Sequence, residues 1–524
     1  MTMRYPVGVQ SFEKIREEDY LYVDKTALIF SIIQEKGYFF LSRPRRFGKS
    51  LLLSTLEAYF KGRRDLFKGL ALDSLTEDWE PRPVLHLDLN NGTYTSPSGL
   101  LEKLDSQVSE WEREFSIDAN EDKEKSVSLR FGNLIKTLAE QTGHKVVVLI
   151  DEYDKPLLNA INNPELSETY RSQLKAFYSN LKTMDPYIEM AMLTGVARFS
   201  KVSIFSDLNN LRDISFSYKF AAICGITADE LDTYFQPGIH SLAEKMGISH
   251  EDVRAELRKR YDGYHFSETS PDIYNPFSLV NVFADNSMRD YWFASGTPTY
   301  LMRLIEKGAY PFSEISPATI DRRYLESAGL LDSDPIPAFY QTGYITIKDY
   351  DSEFNEYLLG YPNEEVKYGF LKFLMRNYLP KIERKGFSIP DFVKEIRAGK
   401  PEGFMKRMES LIASVPYNEK GLAEAHFQNA VYLLFTLIGQ YTKMEDRTSD
   451  GRIDLQVETA EYIYIFEFKI DSSSEKAMEQ ILEKKYWLRE AVSGKKIFLI
   501  GANFDSSTRR MTEPIIATPP ESLQ

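Results

Sequence analysis

Two sets of residues in this sequence have the types and spacing to do chemistry. The first is Gly48-Lys49-Ser50, the closing half of the pattern G-x-x-x-x-G-K-[ST]. In that pattern successive backbone N–H groups curl round phosphates, the lysine reaches the outer phosphates and the hydroxyl ligates Mg2+. Arg43 stands where the opening glycine belongs, so the tripeptide alone is a half-motif. It gains weight from Asp151 and Glu152, which close the apolar run Val146-Val147-Val148-Leu149-Ile150. An Asp at the end of such a strand helps to hold Mg2+, and the Glu after it polarises the attacking water. Thr194 ends a later apolar run, where a polar group would meet the terminal phosphate. Arg198 follows closely and could supply charge to the transition state. Arg45 and Arg46 lie inside the loop itself, placed to contact phosphate or a partner. This set calls for ATP and Mg2+.

The second set is near the C-terminus. In Tyr462-Ile463-Tyr464-Ile465-Phe466-Glu467-Phe468-Lys469-Ile470 the two-residue strand period puts Glu467 and Lys469 on one face, with Tyr464, Phe466 and Phe468 on the other. The preceding segment puts Arg452, Asp454 and Gln456 on its own polar face, and a short turn near Thr459-Ala460 makes the pair a hairpin. Asp454 then comes near Glu467 and Lys469. Two carboxylates plus a backbone carbonyl suit Mg2+, and a lysine beside them orients water or screens a phosphate, as metal-dependent phosphodiester hydrolysis requires. Glu424 on the helix before could add a carboxylate, and Gln480 on the helix after could orient a ligand. The competing reading of these residues is an ordinary half-exposed hairpin with Glu and Lys paired in solvent.

The elements that must position these groups can be read from the apolar spacing. Residues 37–42 and 145–150 read as buried strands, 83–89 and 188–194 as two more, and helical spacing runs over 50–60 and 165–182. Strands alternating with helices give an α/β parallel sheet. From about 227 to 413 the chain is mostly helical, with turn-rich pieces at Tyr261-Asp262-Gly263-Tyr264 and Ser295-Gly296-Thr297-Pro298 and room for a small winged-helix unit. A helix over 422–438, strands over 451–457 and 462–470, a helix over 475–491 and a strand over 496–500 then form a separate α/β unit. The expected division is therefore 1–226, 227–413 and 414–524.

The chain has 524 residues, 43% hydrophobic and 27% charged, the composition of a folded multidomain protein. Its net charge of −14 does not steer it to nucleic acid as a whole. DNA binding would need a local basic patch, for which Lys484, Lys485, Arg489, Lys495 and Lys496 are the candidates. One cysteine, Cys224, excludes an intramolecular disulfide and any zinc site built on cysteines. No apolar run reaches the ~20 residues of a membrane helix and no signal core is visible, so no membrane partner is expected and a cytoplasmic location is.

The segments Tyr22-Val23-Asp24-Lys25-Thr26, Leu41 to Leu51, Leu149-Ile150-Asp151-Glu152-Tyr153-Asp154-Lys155-Pro156 and Leu193 to Ser200 resemble the bacterial predicted AAA-ATPase-like family. Gly451-Arg452-Ile453-Asp454-Leu455, Phe466-Glu467-Phe468-Lys469, Gln480 to Tyr486 and Gly501-Ala502-Asn503-Phe504-Asp505 resemble the PD-(D/E)XK nuclease-superfamily domain often fused to it. Tyr261 to Tyr264 and Trp292 to Pro298 fit the same family. The resemblance implies ATP binding by Lys49, Ser50, Asp151 and Glu152, and metal binding by Asp454 and Glu467 with Lys469 catalytic. It also implies that Arg43 is the usual residue at its position.

Two functions lead, with a third behind them. One is an ATPase whose nucleotide state is relayed through the helical middle to a Mg2+-dependent nuclease acting on DNA. The other is a nucleotide-switched module that binds nucleic acid or protein through an inactive nuclease fold. A plain ATPase with a degenerate appendage is the remaining possibility. The chemistry also leaves room for an arginine supplied by a second copy of the chain, in a homo-oligomer.

Overall fold

The computed structural model describes residues 3–117, 125–198, 210–294, 311–327, 334–378, 388–413, 423–440, 442–449, 452–490 and 493–520. The expected turn at Ser295–Pro298, the end of the Leu193–Ser200 motif at Phe199-Ser200, and Leu422 and Gly451 lie outside these residues. The chain divides into two compact units, Met1–Leu301 with Pro317–Val366, and Met302–Ser316 with Lys367–Gln524.

The first unit is built on a five-stranded sheet. Its strands are β1 (Gly37–Ser42), β2 (Val84–Asp88), β3 (Val146–Asp151), β4 (Ile188–Gly195) and β5 (Leu211–Asp213), in the order β2-β3-β4-β1-β5. The pairings β1–β4, β1–β5, β2–β3 and β3–β4 are all parallel. Every residue of β3 is buried. An unbroken apolar run forms a central strand because both of its faces are covered by helices. The helices Lys49–Phe60 and Val127–Thr142 pack against it, and Pro164–Thr183 packs on the second of them.

Four further helices, Ala228–Tyr234, Gln236–Met246, His250–Tyr261 and Pro276–Asp285, surround a second core that includes Phe235, Ile239, Leu257 and Phe283. Beyond them comes a small antiparallel sheet of β6 (Ala318–Asp321), β7 (Thr346–Asp351) and β8 (Glu356–Gly360), in the order β6-β8-β7. The sequence reading did not mark these three strands. They are short, and β7 is mostly charged and exposed past its first two residues, so no apolar period announces them.

The second unit packs the helices Ile389–Arg397, Pro401–Ile412 and Ala423–Ile438 with a mixed sheet. Its strands are β9 (Lys443–Ser449), β10 (Arg452–Glu458), β11 (Tyr462–Ile470), β12 (Lys496–Asp505), β13 (Arg510–Met511) and β14 (Ile515–Ala517). The order is β13-β12-β11-β10-β9, with β14 also on β12. β10 and β11 are the expected antiparallel hairpin, and β11 runs parallel to β12. The aromatic face of β11 packs on Phe404, Phe427 and Phe435, with ring centroids 5.0 to 6.1 Å apart. Its other face is not the solvent-facing side of a half-exposed hairpin. Ile463 and Ile465 pack there with Met478, Ile481 and Leu499, under the helix Ser474–Lys484. The class is thus α/β throughout, with a parallel sheet, a mostly helical middle and a C-terminal α/β domain. No helix among the described residues is long and apolar enough to cross a membrane.

Candidate nucleotide and nuclease sites

The loop Arg43–Gly48 runs from the end of β1 to the helix Lys49–Phe60. Gly48 has φ 95° and Arg46 φ 67°, left-handed values that curl the backbone into a loop. Gly48 is the residue that meets this at no steric cost, and Arg46 meets it under strain. Phe47 is the anchor, fully buried with its ring 4.8 Å from that of Tyr264 and 5.6 Å from that of Phe266. Lys49 Nζ lies 3.1 Å from the Arg43 carbonyl, 3.3 Å from that of Pro44 and 3.8 Å from Glu152 Oε1. Loop amides at a helix N-terminus and a buried ammonium make an anion site.

Asp151 ends β3 next to the loop. Its Oδ1 accepts the Thr194 hydroxyl at 2.6 Å and the Glu152 N–H at 3.1 Å. Glu152 has φ 54°, a second strained non-glycine residue beside the same site. A cavity of about 350 Å³ opens here, and Arg45, Arg46, Gly48, Lys49, Ser50 and Glu152 are in its wall. An apolar slot of about 110 Å³ shares Gly48, Leu51, Pro276 and Val280 with that cavity. Tyr22, Phe47, Ile226 and Phe235 line it together with Lys25. Lys25 Nζ is held 2.6 Å from both oxygens of Glu230. Another cavity, of about 340 Å³, meets Ser50 and Asp151 and is lined by Asp88, His86 and Glu57. Asp88 is the register partner of Asp151, and His86 Nδ1 lies 2.7 Å from Glu57 Oε2.

The structure therefore brings Gly48, Lys49, Ser50, Glu152, Arg45 and Arg46 to one cavity, with Asp151 and Thr194 joined beside it. Arg198 it places elsewhere. Its guanidinium lies 4.1 Å over Phe216, 2.9 Å from Asp213 Oδ2, and donates to the Glu326 carbonyl at 2.8 Å. That buried arginine ties structural segments together and is not in the cavity wall.

Two residues in the motifs have roles that spacing did not reveal. Arg43 is 1% exposed, and it donates to the carbonyls of Ser42, Ser215, Phe220 and Ala221. Asp154 is fully buried, and one oxygen accepts the N–H groups of Val196 and Ala197 at 2.9 and 2.6 Å. It thereby fixes the loop that follows Thr194. Burial, helped by the charge of Glu152, pushes its carboxyl well above the ordinary carboxylate range. Asp88 did leave a signal, an acid one residue before the end of the strand candidate 83–89.

In the second unit Glu467 is 0% exposed, and Lys469 Nζ donates to Glu467 Oε1 and Gln480 Oε1, each at 2.6 Å. Glu467, Lys469 and Gln480 are thus brought together. Asp454 is the register partner of Glu467 across the hairpin. Glu424 is on the helix Ala423–Ile438. The side chains of Asp454 and Glu424 lie outside the described residues. Gly501 on β12, also a register partner of Glu467, explains how the covering helix comes so close. A Cβ there would stand 2.7 Å from the Met478 nitrogen and 2.8 Å from the Ser474 carbonyl. Of the basic candidates, Lys484 and Lys485 are exposed, whereas Lys495 is paired with Glu458 at 2.7 Å. Arg489's side chain lies outside the described residues. Among the described residues no cluster of three or more His, Cys, Asp or Glu is set to hold a metal.

Comparison with known proteins agrees with this layout. The profile of a family described as predicted AAA-ATPase matches residues 6–205, and that of the PD-(D/E)XK nuclease superfamily matches residues 422–513. A relative from Azotobacter chroococcum mcd 1, described as an uncharacterized protein in vnfD 5'region, is 35% identical over 522 residues, covering 97% of each chain. Among solved structures, the Aeropyrum pernix ORC2 protein in ADPNP–ADP complexes is aligned over 67% of this chain and 93% of its own, at 10% identity and a TM-score of 0.19. That likeness is too slight to carry an argument. With both motif sets standing in the elements they require, and a relative matched almost end to end, the chain belongs to the predicted AAA-ATPase family that carries a C-terminal PD-(D/E)XK nuclease-superfamily domain.

Proposed function

We propose that the protein is an ATPase that controls a Mg2+-dependent nuclease acting on DNA. The observation that carries the first half is the meeting of Lys49, Ser50 and Glu152 at one cavity with an apolar slot beside it. Phosphates fit the cationic loop, and a nucleobase fits the slot. In this reading Arg45, Arg46 and Lys49 bind the phosphates. Ser50 and Asp151 hold the Mg2+ that accompanies them. Glu152 polarises the attacking water, and Thr194 keeps Asp151 aligned through its 2.6 Å hydrogen bond. The bound ion would supply charge neutralisation on the phosphates. Arg198, tied into the fold as it is, has no part in phosphate binding here.

The nuclease half rests on Glu467, Lys469 and Gln480. A buried carboxylate register-paired with Asp454 offers hard oxygen ligands suited to Mg2+, and Lys469 is positioned to orient a water or meet a phosphate oxygen. The exposed Lys484 and Lys485 supply positive charge for a DNA backbone. The segments 1–226, 227–413 and 414–524 would divide the labour into ATP binding, relay and cleavage.

The second reading, an inactive nuclease fold used for binding, draws on one feature. The Lys469 ammonium is already clasped between Glu467 and Gln480, so a cation occupies the mouth of the carboxylate. Plasmid DNA incubated with Mg2+ or Mn2+, with and without ATP, separates the two readings. We expect cleavage that is lost in Glu467→Ala and altered in Lys49→Ala. Intact DNA under every condition would sink the nuclease claim, and equal cutting by Lys49→Ala with and without ATP would sink the coupling.

A further inference from the structure

The carbonyl of Arg45, in the middle of the phosphate loop, accepts a 3.0 Å hydrogen bond from the indole N–H of Trp292. Trp292 is buried, and its backbone N–H donates to Glu365 Oε1 at 2.7 Å. The other oxygen of Glu365 accepts the Ser278 hydroxyl at 2.6 Å. Ser278 is in the helix Pro276–Asp285, whose Pro276, Phe277 and Val280 form one wall of the 350 Å³ cavity. Arg46 completes the connection, its guanidinium 4.9 Å from the centre of the Phe277 ring. One carboxylate therefore joins the loop to the wall.

Glu365 is 3% exposed and stands in the first turn of the helix Glu364–Tyr378. Asn363 starts that helix by accepting the Val366 N–H at 3.1 Å. The chain passes from the first unit to the second within it, between Val366 and Lys367. Burial pushes the Glu365 carboxyl up to about 7. Burying a carboxyl is costly, and an apolar side chain would fill the same space more cheaply. The worth of Glu365 lies in the hydrogen bonds it accepts, those from Trp292 and Ser278 among them.

We propose that Glu365 is a positioning residue for the phosphate loop. Through Trp292 it fixes the Arg45 carbonyl and through Ser278 the cavity wall, so that occupancy of the loop is felt at the start of the helix leading into the C-terminal unit. This rests on the reading of the cavity as a nucleotide site.

The test is amide hydrogen exchange on the full chain, without nucleotide and with Mg2+ and ATPγS, for Glu365→Ala, Glu365→Gln and Trp292→Phe. Glutamine can still accept from Trp292 while donating to Ser278. Glu365→Ala and Trp292→Phe should each speed exchange of the Arg45–Gly48 amides and weaken ATPγS binding by ~10-fold, the loss of one or two hydrogen bonds, whereas Glu365→Gln should restore both. In the wild type, ATPγS should slow exchange at 364–368 as well as in the loop. Unchanged loop exchange in Glu365→Ala and Trp292→Phe would overturn the proposal, as would acceleration shared equally with β3, which signals general loss of stability. A loop loosened selectively in a chain that binds no ATPγS would uphold the positioning role and discard the nucleotide reading.

Discussion

The guanidinium of Arg43 lies 3.9 Å from the centre of the Phe266 ring, far from Phe266 in sequence but stacked on it in the core. Arg43 occupies the position where a phosphate loop ordinarily has glycine, yet its side chain works as a strut behind the loop. Burial pulls its pKa down to about 10, which leaves it charged at neutral pH. Arg43→Gly would restore the common form of the motif. It should nevertheless lower stability by about 3–5 kcal/mol in urea denaturation, because four carbonyls lose their donor and the space empties. A variant as stable as wild type would refute the strut.

Thr194→Val keeps the shape of the side chain and removes only the hydroxyl that donates to Asp151. The carboxylate keeps the Glu152 N–H as a donor. Calorimetry of ATPγS binding should show the Mg2+ requirement raised by ~10-fold, about what one charge-assisted hydrogen bond is worth. Metal-free binding should hold steady. Equal losses with and without Mg2+ would point to a role in folding and not in metal placement.

Gly501→Ala should destabilise the second unit by about 1–3 kcal/mol, since the new methyl meets backbone atoms of the helix Ser474–Lys484 that cannot swing away. Differential scanning calorimetry should show one shifted transition and ATPγS binding unchanged. A silent substitution would mean that the helix rides further from the sheet.

The buried Glu365 makes stability depend on pH. Its folded pKa of about 7 stands above the ordinary carboxyl range, so its contribution is complete below about pH 4.5 and is lost as the pH rises through 7. Asp290 raises it further, with Tyr261, Tyr264 and Tyr291 also close by. Glu365→Gln carries no such charge, so its stability relative to wild type should improve by about 3 kcal/mol between pH 4.5 and 8. Urea titrations at both ends of the range measure this, and a difference that stays constant with pH would remove Glu365 as its source.

What could be read from the sequence was what repeats or clusters locally. Val146–Asp151 is a central strand because it is apolar at each position, and Lys49, Ser50, Asp151 and Glu152 declare themselves by neighbours within a few residues. β9 hid because its sequence, Lys-Met-Glu-Asp-Arg-Thr-Ser, is polar, as edge strands often are to deter pairing with other chains. From the sequence Arg43 is only a departure from the motif's opening glycine, one that the family resemblance implies is usual. Its acceptors are backbone carbonyls from Ser42 to Ala221, and carbonyls carry no sequence signature. The Arg45–Trp292 bond spans 247 residues, and no local pattern reports a contact of that range. Glu467 and Lys469 were placed on the right face, but the cover over that face depends on Gly501, whose missing side chain is easily passed over.

The path of the chain through its two units has a consequence for how such a protein can be cut or fused. The second unit takes in Met302–Ser316 before the chain goes back to the first. Phe312, fully buried, donates its amide N–H to Asn429 Oδ1 at 2.8 Å. A fragment beginning at Lys367 would lack that piece, and one ending at Leu301 would lack β6, β7, β8 and Glu365. The halves are therefore not cassettes that a single joint can exchange. A descendant that dispenses with one candidate site keeps its fold most simply by altering side chains in place, at Lys49 or at Glu467.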